Sequence, residues 1–274
     1  MPLYRIEDGF IRSAGLGAGL VPPASIVVDS RGRYFDPVTP SDLEHLLETG
    51  DFDAALLARA EALITLVTGL GVTKYNLGGA LPALPEGRRI VLVPGQVSDD
   101  ASVLRGGAGI TDMAELLARA RAAEPDAFIL FKPHPDVDAG LRNGAIPDAE
   151  ALRHADGIVR DAALAPLLDK VDVVHTLTSL TGFEALLRGR AVTCHGQPFY
   201  AGWGLTTDLA PLPRRTRRRS LAELVAATLI LYPRYCDPVT GAPTTPEALV
   251  QQLATMAPPR GALRATVARL NARR

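Results

Sequence analysis

Cysteine is scarce: 274 residues carry only Cys194 and Cys236. Neither a paired-cysteine zinc motif nor a disulfide framework can be built from two distant thiols, which suits a reducing compartment. Long hydrophobic runs are also missing. No stretch reaches the roughly 20 apolar residues that cross a bilayer. The start, Met1-Pro2-Leu3-Tyr4-Arg5, lacks the basic-then-apolar order of a secretory leader. A cytoplasmic protein is expected. An excess of one charge is absent as well, since 29 lysines and arginines face 30 aspartates and glutamates. General attraction to nucleic acid is thereby excluded. The single local exception is the basic run of Arg214, Arg215, Arg217, Arg218 and Arg219. It reads either as a patch that meets anionic headgroups at the inner membrane or as a solvated loop.

Apolar residues make up 47% of the chain, enough for one large or two small cored domains. Short β-branched runs alternate with helical patterns: strands at 25–28, 89–93, 127–131, 171–175 and 191–194, helices near 40–49, 53–68, 111–123, 148–154 and from Leu180. Near-continuous apolar strands between amphipathic helices predict a parallel sheet covered on both faces. The turn-rich stretch from Gly78 to Gly87 marks a junction. The expected division is a partial N-terminal domain over 1–85, a Rossmann-like nucleotide-sugar-binding domain over 86–235, and closing helices over 236–274, including one near 245–272.

Open parallel sheets bind ligands at the carboxyl ends of their strands. Three polar loops stand there, at 94–100, 132–136 and 176–184, and are expected to open on one cleft. In the third, Thr178, Ser179, Thr181 and Gly182 begin a helix, where hydroxyls, backbone donors and the helix dipole favour a phosphate. The alternative is an ordinary capping box between Thr181 and Glu184. Glu184 is also placed to accept from ribose hydroxyls. His134 lies between Pro133 and Pro135, so a stiff backbone aims its imidazole. It can donate a hydrogen bond or a positive charge to a departing phosphate. His45, His154, His175 and His195 lack such a setting, and no metal-ligand spacing is found, so no metal is expected.

Asp99 and Asp100 follow Gln96 in the first loop, where a carboxylate can attack an anomeric carbon or stabilise its cationic transition state. Loop aspartates also serve as caps. Glu7 and Asp8 form a second carboxylate site, as division of labour between nucleophile and acid/base requires. The segment Gly196 to Gly204 carries Trp203 among aromatics and hinge glycines, and suits either stacking on a base or sugar or packing in the core. Gln96 and Lys132 complete the donor-binding candidates.

Taken together, Glu7-Asp8-Gly9-Phe10-Ile11-Arg12-Ser13, Tyr34-Phe35-Asp36, Pro94 to Val97 with Asp99-Asp100, Lys132-Pro133-His134-Pro135, Thr178 to Glu184, and Pro198 to Gly204 resemble the capsular polysaccharide β-Kdo transferase family to about residue 235. The resemblance implies an α/β, GT-B-like glycosyltransferase with a complete C-terminal Rossmann-like domain and an incomplete N-terminal one, because family members carry further strand-helix units before the Glu-Asp-Gly motif. The first 50 residues are therefore expected to be poorly covered unless a partner packs on them.

The resemblance also implies transfer of Kdo from CMP-Kdo to a lipid-linked acceptor of phosphatidylglycerol type, with retention through a carboxylate adduct. His134 and the Ser179–Thr181 helix start would hold the CMP phosphate, Glu184 the ribose. Asp99 or Asp100 would be the nucleophile and Glu7 the acid/base. Capsule assembly or export proteins are expected partners, with peripheral contact at the inner membrane if the arginine run meets its headgroups. Competing classes are a non-catalytic nucleotide or glycan binder, a structural component of polysaccharide export, and a transferase using a CMP-sialic acid or uridine donor.

Overall fold

Strands that must be covered on both faces are apolar at every position, and Ile90–Pro94 and Val173–Thr176 are buried throughout. The computed structural model describes residues 3–14, 21–74, 76 and 79–256. Along the chain these form β1 (Arg5–Asp8), β2 (Ser25–Asp29), α1 (Asp42–Thr49), α2 (Ala54–Gly69), β3 (Ile90–Pro94), α3 (Ala101–Gly106) and α4 (Met113–Ala123). Next come β4 (Phe128–Lys132), α5 (Pro135–Asp138), α6 (Asp148–Ala151), β5 (Gly157–Ile158), α7 (Leu164–Leu168), β6 (Val173–Thr176), α8 (Leu180–Leu187), β7 (Ala191–Cys194) and β8 (Thr207–Asp208). The remainder is α9 (Leu221–Val225), a π-helical turn (Ala226–Leu231), β9 (Pro233–Cys236), β10 (Pro243–Thr244) and α10 (Pro246–Thr255). Met1, Pro2, Gly78 and the part of the expected last helix beyond 256 lie outside the described residues.

The six-stranded sheet has the order β5-β4-β3-β6-β7-β8, and all its pairs are parallel. From β3 the chain winds outward through β4 and β5, then returns to place β6 on the other side of β3. The β3/β6 crevice is thus a topological switch point, where open α/β sheets bind ligands. One face packs Val91, Val93, Ile129 and Phe131 against Met113, Leu116 and Leu117 of α4. The other packs Leu92, Leu130 and Val174 with Phe183 of α8.

A second sheet, β1-β2-β9-β10, is antiparallel and mixes the two ends of the described chain. β9 straddles residue 235 and pairs with β2, so the returning chain completes the sheet that the first residues begin. α10 also packs on α2. Leu43, Leu47 and Leu63 are fully buried in the cluster that contains Leu224 and Leu249. The expected lack of cover over the first 50 residues is therefore corrected for α1, whose apolar face this chain covers itself. What stays open is β1, an edge strand, with Leu3 67%, Tyr4 58% and Ile6 64% exposed.

Arg214, Arg215, Arg217 and Arg219 of the arginine run strap α1, while Arg217 and Arg218 stay exposed. Arg214 and Arg215 both pair with Glu44, and Arg215 Nη1 donates to the Pro198 and Ala201 carbonyls at 2.6 and 2.7 Å. Arg219 donates to Leu47 and Gly50 carbonyls at 2.6 and 2.8 Å, and Arg217 to the Glu48 carbonyl at 3.2 Å. These oxygens lie at the C-terminal end of α1, where a helix leaves carbonyls unpaired and favours cations. Among the described residues no helix is long and apolar enough to cross a membrane.

Candidate active site

A cleft of about 990 Å³ runs between the carboxyl edge of the six-stranded sheet and the β1–β2 unit. Its lining includes Gln96 and Asp100 after β3, Lys132 and His134 after β4, and Thr178, Ser179, Thr181 and Glu184 after β6, with Glu7 of β1 opposite. All three expected loops open on it.

Gln96 is buried, and its side chain is spent on the protein. Its Oε1 accepts from Thr176 Oγ1 and from the Leu177 and Thr178 N–H groups at 3.2, 3.3 and 3.1 Å. Its Nε2 donates to Thr178 Oγ1 at 2.8 Å. A residue expected to touch the donor therefore braces the loop that follows β6.

The two aspartates part company. Asp100 caps α3 and lines the cleft; its Oδ1 accepts from Ser102 N–H at 2.9 Å and Ser102 Oγ–H at 2.7 Å. Asp99 is not among the lining residues. It accepts from Asn143 Nδ2 at 2.7 Å and pairs with Arg142 at 3.5 Å, while Ser98 N–H bonds the Asn143 carbonyl at 3.1 Å. Asp99 thus latches the 139–147 loop to the first loop.

His134 caps α5, with Nδ1 accepting from Asp136 N–H at 3.2 Å. That bond places the proton of the neutral ring on Nε2, which is left to donate. Burial holds the imidazole pKa below its ordinary value, against the opposing charge of Asp136. Lys132 Nζ donates to the Arg160 carbonyl at 3.1 Å, and burial lowers its ammonium pKa.

Helix α8 is capped by Ser179, whose Oγ accepts from Thr181 N–H at 3.2 Å. A Thr181–Glu184 capping box is not formed, because the cap falls two residues earlier. Glu184 instead accepts from Lys74 N–H at 2.7 Å. Burial pushes its carboxyl pKa up to about 7, against that bond and the Arg188 charge.

Two expected donor contacts are corrected. Gly182 faces Tyr200, and a Cβ there would sit 2.2 Å from the phenol oxygen. The glycine permits this close approach, in which Tyr200 Oη donates to the Ser179 carbonyl at 2.5 Å. Trp203 is fully buried; its Nε1 donates to the Phe199 carbonyl at 2.8 Å, and the Arg215 guanidinium lies 5.5 Å from its ring centre. It belongs to the core, and Phe199 of the same segment reaches the cleft instead.

Glu7 comes from β1, a strand that the sequence pattern did not reveal because Arg5-Ile6-Glu7-Asp8 carries a single apolar residue. Burial raises its pKa; Arg33, 3.4 Å away, opposes this, while the charges of Asp8 and Asp100 add to it. The charge of Asp100 therefore reaches Glu7 across the cleft. Ser102, Arg142 and Asn143 escaped sequence reading, although Asp-x-Ser before a helical stretch is a readable cap pattern.

The family profile described as capsule polysaccharide biosynthesis protein matches residues 1–79 and 72–235. This chain belongs to the capsule polysaccharide biosynthesis protein family. Capsule polysaccharide modification protein LipA of Neisseria meningitidis is 48% identical over 257 residues, which are 92% of this chain and 36% of that protein. The chain thus spans about a third of the length of that relative. Among solved structures, the β-Kdo 2,4 transferase of Thermosulfurimonas dismutans KpsC superposes with a TM-score of 0.85 at 38% identity, covering 93% of this chain and 80% of that one. Its β-Kdo 2,7 transferase superposes at 0.77 with 41% identity, covering 92% and 77%. Within the capsule family, then, this chain has a GT-B-like α/β fold, and the cleft lies between its two sheets.

Proposed function

We propose that this chain carries the donor-side machinery of a retaining glycosyltransferase that moves Kdo from CMP-Kdo to a lipid-linked or glycan acceptor in capsule polysaccharide biosynthesis. The observation that carries this reading is the convergence of Asp100, Glu7, His134 and the 176–181 loop on one cleft at the switch point. The two structural neighbours titled as β-Kdo transferases support the choice of sugar.

In the proposed mechanism the cytidylyl phosphate sits against the start of α8, with Nε2–H of His134 donating to it. Lys74, Lys132 and Arg160 are cations among the lining residues and complement the negative charges of phosphate and sugar carboxylate. Glu184 accepts from the ribose. Asp100 Oδ2 attacks the anomeric carbon, and the carbon–oxygen bond to phosphate breaks with its electron pair leaving on CMP. The acceptor hydroxyl then attacks from the other face. Its proton passes to Glu7, whose raised pKa suits a base that must also hold a proton. The carbon–Oδ2 bond breaks and returns its pair to Asp100. Two displacements retain configuration.

Asp100 is favoured over Asp99 because it lines the cleft and its Oδ2 accepts no hydrogen bond from the described residues, whereas both Asp99 oxygens face the 139–147 loop. A phosphatidylglycerol-type acceptor would bring the enzyme to the cytoplasmic face of the inner membrane.

Calorimetric titration with CMP tests the donor site, with UMP and His134→Ala as controls. Selective CMP binding that weakens in the variant is expected. A folded protein that binds neither nucleotide would sink the assignment.

A further inference from the structure

We propose that Ser102 is a positioning residue for Asp100: it holds Oδ1 and so makes Oδ2 the attacking oxygen. This rests on the reading of Asp100 as nucleophile, and it gives a function to a side chain outside every motif that points to the site.

The geometry is specific. Both donors of Ser102, the N–H at 2.9 Å and the hydroxyl at 2.7 Å, converge on the same oxygen of the carboxylate. An ordinary helix cap needs only the backbone donor, which any residue at 102 except proline supplies. The hydroxyl is a second, charge-assisted donor on Oδ1, and two bonds from one residue stop the carboxylate from rotating. Oδ2 is left without a hydrogen bond among the described residues, with Arg142 Nη2 3.9 Å away.

The Ser102 hydroxyl is itself oriented from across the switch crevice. Gln96 Nε2 donates to Thr178 Oγ1 at 2.8 Å, Thr178 Oγ1 donates to Ser102 Oγ over a longer 3.5 Å, and Ser102 Oγ donates to Asp100. Every proton in this chain points toward the carboxylate. The loop that receives the donor phosphate is therefore joined to the group that attacks the sugar.

The chemistry gains at two points. The two bonds to Oδ1 fix the rotation of the carboxylate, so Oδ2 is presented to the anomeric carbon already oriented. In the second displacement the Asp100 ester is the leaving group, and the same donors stabilise the charge that returns to its carboxylate. Neither effect requires Ser102 to touch the donor.

The test uses the full chain in steady-state transfer, beside calorimetric titration with CMP. Ser102→Ala should show kcat down about tenfold with donor KM and CMP affinity unchanged, and Ser102→Thr should restore kcat. An unchanged kcat overturns the proposal, as does a loss confined to CMP affinity, which would make Ser102 a donor contact. Should Ser102→Ala not fold, Ser102→Cys takes its place: a smaller fall in kcat supports the proposal and none overturns it. Full transfer by Asp100→Asn would instead sink the nucleophile reading, a separate result. An inactive Asp100→Asn beside an unaltered Ser102→Ala would sink this inference alone.

Discussion

Gln96 and Thr178 bind each other twice across the β3/β6 crevice, through Gln96 Nε2 to Thr178 Oγ1 at 2.8 Å and Thr178 N–H to Gln96 Oε1 at 3.1 Å. One buried amide therefore ties the loop that bears Asp100 to the loop that starts α8. Buried polar groups this fully paired hold a single arrangement and are costly to break. Preorganisation of the cleft comes from that tie, not from the ligand.

The aspartates should separate in kinetics. Asp100→Asn is expected to lower kcat by at least about a thousandfold, because it removes the nucleophile. Asp99→Asn keeps the Asn143 bond in part, and its loss should stay within about tenfold. CMP affinity, measured by calorimetry, should be unchanged in both. Equal losses in the two variants would contradict the assignment.

Glu184 makes stability depend on pH. Its folded pKa is raised to about 7 from an ordinary 4.5, so the folded state binds the proton more tightly than the unfolded state. Stability is then full below about pH 4.5 and declines as pH rises toward 7, with no further loss from this group above it. Glu184→Gln cannot ionise and should be the more stable protein at pH 8, by about 3 kcal/mol, but not at pH 4.5. Urea denaturation of both proteins at the two pH values decides this, and a difference independent of pH would contradict it.

The strap over α1 should matter for folding. Arg215→Ala leaves Glu44 with Arg214 alone and strips a donor from the Pro198 and Ala201 carbonyls. A cost of about 3 kcal/mol is expected. Arg217→Ala, at an exposed position, should cost less than about 1 kcal/mol. If the run served only to meet lipid, both changes would leave the denaturation midpoint alone and weaken binding to anionic vesicles equally.

Gly182 offers a test of packing against ligand contact. Gly182→Ala should destabilise by about 1 to 3 kcal/mol through overlap with the Tyr200 phenol oxygen. Tyr200→Phe removes that oxygen and should recover part of the loss in the double variant, a coupling that calorimetric unfolding can measure. CMP affinity in the double variant should stay close to that of the parent. Lost affinity without lost stability would restore Gly182 as a donor contact.

Much of the six-stranded sheet was legible, because β3, β4, β6 and β7 are apolar runs with covering helices between them, and period alone exposes such elements. The polar loops after them were legible for the same reason, since a strand exit in an open parallel sheet has a defined place. His134 could be singled out because the flanking prolines act locally. Trp203 could not be judged so, as an aromatic between glycines reads alike on a ligand and in a core. Its burial depends on Arg215 and Phe199, which meet it only in the fold. β5, β8 and β10 have only two residues each, too few for a pattern to rise above chance, and β1, Arg5-Ile6-Glu7-Asp8, offers a single apolar residue.

The sequence by itself determined the class of the fold and the three loops that form one wall of the cleft, because hydrophobic period and strand exits are local properties. Only the tertiary structure decided which carboxylates face that cleft. Asp99 and Asp100 are neighbours of the same chemistry, and a cap bond from Ser102 and a latch from Asn143 turn them apart. Likewise five arginines within six residues carry the same charge in any context. Whether they meet lipid, water or Glu44 depends on α1 lying beneath them, some 170 residues away in sequence. Contacts at that separation leave no periodic trace in the chain, so packing alone assigns them.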